Sequence, residues 1–490
     1  MLRELPDLRE DAAGLASALA RERYRRAAGL PAQETLRDIL RAHNLAVSAE
    51  GLAQAREALG NAEGEDSRRA GRIARLASLR DFLARARALE LEPGAAQELF
   101  EFDRRPLVKP PGDAGLHGAV PAVTVERELP ILRSREKRGE MEEALATAVR
   151  AADGLRSAMW DAARAAQAEA GLRAPEGVAQ WPEEILDGTE EIFDDLGAWL
   201  LERHTGVKAG AAARHDVLHL LQAPRSASAF PAGEMQRTVR RWAEMLRLDL
   251  SEVKVDDEDR PLKRPGARAE PVDPPWEVAL TFLPAEGPRA LGALLGAIGT
   301  ALLRLGPPPD APPEDLWLGD PAVRHACWEV LEGLVRDREW LRRCAKTELS
   351  RDDERAIAIA AVIDCRVAAA RTLASLQARE SGLGSRAAAA HRDLYARATG
   401  AELPAGLALR DLDPWFGPLA QLQGRALAAR IREFLRDRHD EDWWRNPRST
   451  TSLQALWGRG GRPTCAELWT ELGGEPAVNP LLFELSQACG

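Results

Sequence analysis

The chain has 490 residues, of which 45% are hydrophobic and 29% are charged. This balance indicates a soluble globular protein that is long enough for two or three domain-sized units. A formal net charge of -10 gives no general reason to expect a nucleic-acid partner. No signal peptide and no run near the roughly 18 apolar residues of a membrane span is predicted, so we expect no membrane partner.

The five cysteines occur only in the last third of the chain, and no two of them have C-x-x-C spacing. An odd number without paired spacing favours free thiols over a disulfide framework, which predicts a cytoplasmic location. No feature of the sequence fixes the oligomeric state.

Residues 1–103 are predicted to be helical, because apolar residues recur every three or four positions, as in Leu36, Ile39 and Leu40. Gly60 to Asp66 and Glu92 to Gly94 are predicted to interrupt these helices. A Pro- and Gly-rich stretch at 104–122 is predicted to be a linker, and 123–490 the main helical domain. No chemistry can be tied to the N-terminal region.

A predicted helix between residues 132 and 221 contains His215-Asp-Val-Leu-His219, which is one methylene away from the H-E-x-x-H zinc motif. Projected at about 100° per residue, the two histidines lie opposite an apolar side, so we expect them to face a cleft or water. A zinc site here would need Asp216 as the base and a third ligand from elsewhere. His215 and His219 are therefore an alternative metal site.

Residues 253–283 are predicted to form a small β element, because the apolar period shortens and prolines flank the runs. Its predicted strands are Val253 to Asp256 and Trp276 to Phe282. Between them, Lys263 to Arg268 is predicted to be an exposed basic loop.

The apolar stretch from Leu291 to Leu303 is predicted to be a helix, and a second helix follows from about Leu318. Gly292, Gly296 and Gly299 share one side of the first helix, and such a small-residue face allows a neighbouring helix to approach. Further helices are predicted at 356–376 and 386–398, and an aromatic turn then leads to a helix that includes Trp443 and Trp444.

These two helices resemble the zinc-site helices of the helical gluzincin metallopeptidases, the thimet oligopeptidase, oligoendopeptidase and carboxypeptidase Taq family. There the first helix reads A-L-x-H-E-x-G-H-A-L and the second opens near L-G-D-x-x-V-T-E-G. The residues that match without a gap are Ala293, Leu294, Gly299, Ala301, Leu302, Leu318, Gly319, Asp320 and Val323. Over roughly residues 130 to 490, the resemblance implies a mostly α fold: a two-lobed helical ellipsoid with a deep channel and a small antiparallel β-sheet near the site, along whose edge a peptide can lie.

The resemblance places Gly296 and Thr300 at the two histidine ligands, Ala297 at the general-base glutamate and His325 at the third ligand. Glycine and alanine side chains offer no lone pair, and a threonine hydroxyl is a poor zinc ligand. Without a base and a metal, metal-assisted hydrolysis has no mechanism at these positions. The site is therefore predicted to be vestigial, with no catalytic residue, metal or cofactor.

The resemblance also places Gln421 and Gln423 where the family has a tyrosine and an arginine that bind the developing oxyanion and the substrate. We therefore predict a pseudopeptidase that binds a peptide or protein in the old channel, in a regulatory role or as the partner of an active paralogue. One alternative is a zinc hydrolase rebuilt on His215 and His219, or an enzyme that uses His325 with Glu329, one turn apart. The other is a purely structural subunit.

Overall fold

The computed structural model describes residues 5–63, 70–110, 118–175 and 177–490, and most of these residues are helical. The helices of the first 103 residues are α1 (Pro6–Ala27), α2 (Leu36–Ala42), α3 (Asn44–Val47), α4 (Ala49–Glu63), α5 (Ala70–Leu91) and α6 (Pro93–Phe102). The predicted interruption at Glu92 to Gly94 separates α5 from α6. By contrast, α4 continues through Gly60, and residues 64–66 of that predicted interruption lie outside the described ranges.

The middle of the chain is also helical, as its periodicity predicts. It contains α7 (Ala122–Glu128), α8 (Arg135–Arg150), α9 (Asp153–Glu169), α10 (Gln180–Gly188), α11 (Glu190–Ile192), α12 (Ala198–Thr205), α13 (Arg214–Leu220) and α14 (Met235–Leu246). Gly206 follows α12 with a φ of 75°, the left-handed conformation that glycine adopts readily at a helix end.

The last part of the chain holds the two motif helices and a further set of helices that surround them. These are α15 (Pro288–Leu305), α16 (Pro313–Trp317), α17 (Pro321–Glu332), α18 (Arg338–Trp340), α19 (Arg351–Ser381), α20 (Ser385–Thr399), α21 (Gly417–His439), α22 (Pro447–Trp457), α23 (Cys465–Glu471) and α24 (Asn479–Cys489). The helix predicted to include Trp443 and Trp444 ends earlier: Asp440 has a φ of 72°, and both tryptophans lie in a separate 3₁₀ turn.

The strands are β1 (Pro106–Val108), β2 (Val120–Pro121), β3 (Ala212–Ala213), β4 (Val255–Asp256), β5 (Gly266–Asp273), β6 (Glu277–Leu283) and β7 (Ala401–Glu402). The predicted β element is a three-stranded sheet in the order β4-β6-β5. β5 and β6 are antiparallel, with Ala269 opposite Leu280, and β4 runs parallel to β6. The strands β1 and β2 pair within the predicted linker, of which residues 111–117 are not described.

The predicted exposed loop from Lys263 to Arg268 is wrong in two respects. Its last residues belong to the edge strand β5, and Lys263 is 0% exposed. The Lys263 ammonium donates to the carbonyls of Asp256 and Glu258, both at 2.8 Å. The Asp256 carboxylate lies 3.1 Å away as well. These acceptors replace water around the charge and allow its burial.

The central element of the core is α15, which packs against α17, β5 and β6. Its length and composition would allow a membrane crossing, contrary to the expectation that no such run exists. However, 78% of the helix is buried inside the protein, as is typical of a core helix.

The N-terminal helices form a second apolar cluster of their own. They are joined to the main core by ion pairs from Arg9 to Glu314 at 2.6 Å and from Arg75 to Asp315 at 2.8 Å. The mostly helical fold class with a small sheet beside α15 is confirmed. The division into domains at 104–122 stays a prediction.

Candidate functional site

The two motif helices lie in direct contact, and local sequence signals set where each one begins. Pro288 occupies the first turn of α15, where a missing N–H costs nothing, after Gly287 with a φ of 113°. Asp320 caps α17 and accepts a hydrogen bond from the Ala322 N–H at 2.8 Å, and Pro321 follows it. The side of α15 that meets α17 carries the three glycines of the motif.

The glycines of α15 allow this close approach. A Cβ on Gly299 would overlap the carbonyl oxygen of Cys327, and a Cβ on Gly292 would lie 3.3 Å from Glu332 Oε1. The structure therefore supports the interpretation that these residues form a helix-packing face.

The Trp328 indole covers the position predicted for the first zinc ligand. A Cβ on Gly296 would overlap this ring, with Trp328 Nε1 at only 2.6 Å. No side chain larger than hydrogen fits at position 296 unless Trp328 moves. This contact was missed in the sequence analysis. A signal was present, because Trp328 lies about one turn after His325 on the helix expected to pack against the glycine face.

The other three motif positions differ in their surroundings. Ala297 is fully buried and Thr300 is 7% exposed, whereas His325 is half-buried. Gly424 of α21 packs directly on His325 Cβ, so His325 lies on the side of α17 that meets α21. Burial lowers the pKa of His325 to about 3, and the nearby Arg324 adds to this effect, so the imidazole is neutral at pH 7.

The residues at these positions do not fit a zinc ion. Gly296 and Ala297 supply no donor atom, the indole of Trp328 fills the space beside Gly296, and His325 is a single imidazole. In the part of the chain that the structure describes, no group of three or more His, Cys, Asp or Glu side chains is arranged to hold a metal. The vestigial assignment of the motif residues stays a prediction.

Glu329 does not pair with His325 as one alternative required. It is 4% exposed, and its Oε1 lies 3.0 Å from Nε of Arg425 on α21. Burial raises the pKa of Glu329 to about 6, and the charge of Arg425 opposes this rise. Glu329 is thus committed to an ion pair between two helices.

This pair belongs to a larger ion-pair network beside the N-terminal half of α15, here called the buried ion-pair network, although Arg289 at its margin is exposed. Arg289 lies 3.0 Å from Asp364, Arg336 lies 2.8 Å from Glu332, and Arg432 lies 2.6 Å from Glu484. The members of the network are Arg289, Glu329, Glu332, Arg336, Asp364, Arg425, Arg432 and Glu484. Its four cations and four carboxylates balance, so the network joins α15, α17, α19, α21 and α24 without an excess charge.

Gln421 and Gln423 are both half-buried on α21. Two residues correspond to about 200° around a helix, so the two side chains leave α21 in opposite directions. Gln421 lies three residues before Gly424 and shares the side that meets α17. At most one of the predicted pair can therefore face His325.

The alternative metal site is buried, so the expectation that His215 and His219 face a cleft or water is wrong. They are 5% and 8% exposed, and His219 Nδ1 lies 2.8 Å from the Pro130 carbonyl oxygen. Asp216 is fully buried and lies 3.1 Å from both Arg135 and Arg138.

Asp216 is poorly suited to be a base. Burial alone would raise the pKa of Asp216, but hydrogen bonds from His215, the Ala213 N–H and Arg135 lower it overall. A carboxylate with a lowered pKa accepts a proton reluctantly at neutral pH.

A half-open cavity of about 490 Å³ lies on the opposite side of α15 from the glycine face. Leu294 and Ile298 form part of its floor, and Gln236, Arg240 and Glu244 of α14 form part of its wall. Positions 294 and 298 are about 200° from 292 and 296 around the helix. The cavity is therefore separate from the motif positions.

Sequence reasoning also missed a charged cluster on the sheet side of α17. Arg23 of α1, Arg268 of β5 and Arg324 of α17 all act electrostatically on Glu270 of β5. One signal was visible, because Arg324 stands where the resembled motif has a threonine.

No known protein-family profile matches the chain, and no curated protein does. Solved structures do match. A protein from Bacillus anthracis assigned as an oligoendopeptidase F has a TM-score of 0.60 and 11% identity over 90% of this chain and 84% of its own. The fold is that of the helical oligoendopeptidases and carboxypeptidases. A carboxypeptidase from Deinococcus radiodurans matches this peptidase fold with a TM-score of 0.54 and 17% identity over 99% and 97% of the two chains.

A carboxypeptidase from Pyrococcus furiosus shares the peptidase fold as well, with a TM-score of 0.55 and 11% identity over 100% and 99% of the two chains. The resemblance predicted from the two motif helices is confirmed at the level of fold. At these identities the likeness extends to architecture and not to activity.

Proposed function

We propose that this protein is a pseudopeptidase, which keeps the architecture of a helical zinc peptidase and acts by binding a peptide or protein. In this proposal it regulates its partner or assembles with an active paralogue. The observation that carries it is the contact between Gly296 and Trp328. A position that would have to supply a zinc ligand lacks a side chain, and an indole ring occupies the adjacent space.

The neighbouring residues support the same proposal. Ala297 cannot take a proton from water, and the neutral His325 is turned toward α21. Glu329 and Asp364, two acidic side chains of the buried ion-pair network, are held by Arg425 and Arg289. A hydrolytic mechanism would need a free base and a metal-bound water, and these residues provide neither function.

Metal analysis and an activity assay test the proposal. Protein purified without chelator should contain less than 0.1 zinc per chain, about the level of trace contamination expected of a chain with no closed ligand set. It should also cleave no member of a quenched fluorescent peptide library above a blank. Stoichiometric zinc together with hydrolysis that a chelator abolishes would overturn the proposal.

The relocated zinc hydrolase is tested by a double substitution, His215→Ala with His219→Ala. If zinc is bound at all, loss of the metal in this variant would assign it to these residues. Retention of the metal, or its absence from both proteins, would exclude the relocated site. His439→Ala serves as the control, because His439 contacts Ser452 and lies outside both candidate sites.

Titration calorimetry with peptides of about ten residues tests the binding function, since an interface of this size can give micromolar affinity. Saturable one-to-one binding would support the pseudopeptidase. Failure of every peptide to bind would favour the purely structural subunit. Co-purification with a paralogue that has an intact H-E-x-x-H motif would support assembly with an active subunit.

A further inference from the structure

Three arginines from distant parts of the chain converge beside the motif helices. Arg23, Arg268 and Arg324, here called the arginine cluster, are all exposed. Within the described ranges none of their side chains makes a hydrogen bond or an ion pair. Many arginines elsewhere in the described residues form ion pairs or hydrogen bonds, and these three guanidinium groups do not.

The packing of three elements brings the cluster together. β5 is the edge strand of its sheet and packs on α15, with Gly266 next to Ala293. α1 lies along β5, where Ser17 Oγ donates to the Val272 carbonyl at 2.6 Å. α17 packs on the neighbouring side of α15. The cluster therefore lies where β5, α1 and α17 meet around α15, and Arg324 is close enough to His325 to act on it electrostatically.

This region is concave. Arg324 is exposed to solvent, yet burial by the surrounding protein lowers the pKa of Arg324, with Arg23 adding to the shift and Glu270 and Asp320 opposing it. A side chain that is at once exposed and desolvated lies inside a cleft and not on a convex surface. Glu270 is affected in the same way, because burial raises the pKa of this carboxyl despite the nearby arginines.

The cleft has an excess of positive charge. Glu270 is the carboxylate on which the cluster acts, and Arg304 adds a fourth cation from below. Arg304 is itself fixed, since it donates to the carbonyls of Leu316 and Leu318 at 2.9 Å. Asp320 caps α17, accepts from the Ala322 and Cys465 N–H groups, and also acts on Arg324, so the cleft holds four cations and two carboxylates.

An excess of cations on a chain with a formal net charge of -10 is a site for a complementary anion. Free guanidinium groups in a low-dielectric cleft repel one another, and carboxylates relieve this repulsion through bidentate hydrogen bonds. At the edge strand β5 the Val272 carbonyl is occupied by Ser17 of α1, and the strand residues nearer Arg268 offer the backbone groups. An extended peptide can pair with such groups, whereas a mononucleotide or a phosphate ion cannot use them.

We infer that the arginine cluster binds the carboxylate side chains of an extended acidic peptide segment laid along β5. The inference rests on the proposed function, because it names the ligand class of the same cleft. It assigns a specificity that the three arginines of this chain create.

The test uses fluorescence anisotropy with labelled ten-residue peptides of three kinds: Glu- and Asp-rich, the matched Gln and Asn sequence, and a Lys-rich one. The full-length chain is compared with R268Q/R324Q. A control variant, R173Q/R386Q, removes the same charge from two exposed arginines, one in the loop after α9 and one on α20. The acidic peptide should bind at least tenfold more tightly than the other two. The cluster variant should lose at least tenfold in affinity, and the control should stay within twofold.

The failure of this inference is distinguishable from the failure of the proposed function. Equal binding of the neutral and acidic peptides would overturn the acidic specificity while leaving peptide binding intact. Binding of no peptide would overturn both. Equal weakening in the control variant would reduce the effect to net charge, and equal affinity for a single-stranded oligonucleotide would overturn the peptide class. The charge-reversed R268E/R324E should gain affinity for the Lys-rich peptide while keeping the helical circular dichroism of the unchanged chain, a combination that an unfolded variant cannot show.

Discussion

A single aromatic contact determines what position 296 can hold. The residue predicted at the first ligand position is a glycine, and the Trp328 ring lies where its Cβ would project. Core packing leaves no free volume to absorb an added methyl group, so the backbone or the ring must shift. Any side chain larger than hydrogen at position 296 would therefore clash with Trp328, whatever role the position has in metal binding.

Gly296→Ala should destabilise the protein by about 1–3 kcal/mol, because the new Cβ overlaps the indole. Chemical unfolding in urea measures this change. In a Trp328→Ala background the same substitution should cost at least about 1 kcal/mol less, since the two groups are in contact.

Gly154→Ala is the matched control. Gly154 lies in α9 with nothing within 4 Å of its Cβ position, so alanine there should be neutral or stabilising by up to about 1 kcal/mol. Equal costs at 296 and 154 would contradict the steric account.

His325 makes a prediction about pH. Its folded-state pKa of about 3 lies below the unfolded value, so the unfolded chain takes up a proton that the folded chain does not. The stability that the neutral imidazole contributes is present above about pH 6.5 and declines as the pH falls toward 3. Between pH 7 and pH 5 the wild type should lose about 1–2 kcal/mol more than His325→Gln.

Urea unfolding of both proteins at the two pH values measures this difference. Identical losses in the two proteins would show that folding does not lower the pKa of His325.

The helix contacts could be predicted from the sequence, whereas the burial of individual charged groups could not. The contact of α15 with α17 followed from two gapless motifs, because local sequence patterns encode helices and the glycine spacing encodes their approach. The burial of Lys263 and His215 could not be predicted, since their partners Asp256 and Asp216 act only in the folded chain. Arg23, Arg268 and Arg324 are 56 to 301 residues apart, and no local pattern connects them.

At the scale of elements, the contact between α15 and α17 is a backbone contact at one end and a side-chain contact at the other. Gly299 lies against the Cys327 carbonyl, which belongs to the helix itself and cannot move alone. Gly292 lies against the end of the Glu332 side chain, which has freedom to rotate. The tolerance to an added methyl group should therefore vary along a single interface.

Gly299→Ala should destabilise the protein more than Gly292→Ala does, by at least about 1 kcal/mol, because only the first forces the helices apart. Urea midpoints of the two variants at constant m value provide the comparison. Equal costs, or the reverse order, would mean that the helices separate as easily at both points.

At the scale of the whole molecule, the buried ion-pair network connects the C-terminal helix to the motif helices. Arg432 makes two hydrogen bonds to Glu484 at 2.8 and 2.6 Å, and these join α21 to α24. It also donates to the Glu329 carbonyl of α17. Removal of one buried partner leaves the other charge without compensation, whereas removal of both leaves an apolar gap.

Arg432→Met should lower the free energy of unfolding by about 3 kcal/mol, because it leaves the Glu484 carboxylate without its cationic partner. The double variant Arg432→Met with Glu484→Met should cost less than the sum of the single variants by at least about 1 kcal/mol. Glu234→Gln, at the exposed pair with Arg237, is a control that should change stability little. Strict additivity at 432 and 484 would contradict the coupling.

The near-complete burial of α15 has a consequence for how the protein is made. The partners that cover its glycine face lie between residues 327 and 335, downstream in the chain. Before that region has been translated, the nascent polypeptide exposes the apolar segment of α15, which is long enough to enter a bilayer or to bind a chaperone. Fragments that stop before α17 should consequently be aggregation-prone during expression, and the full-length chain should not.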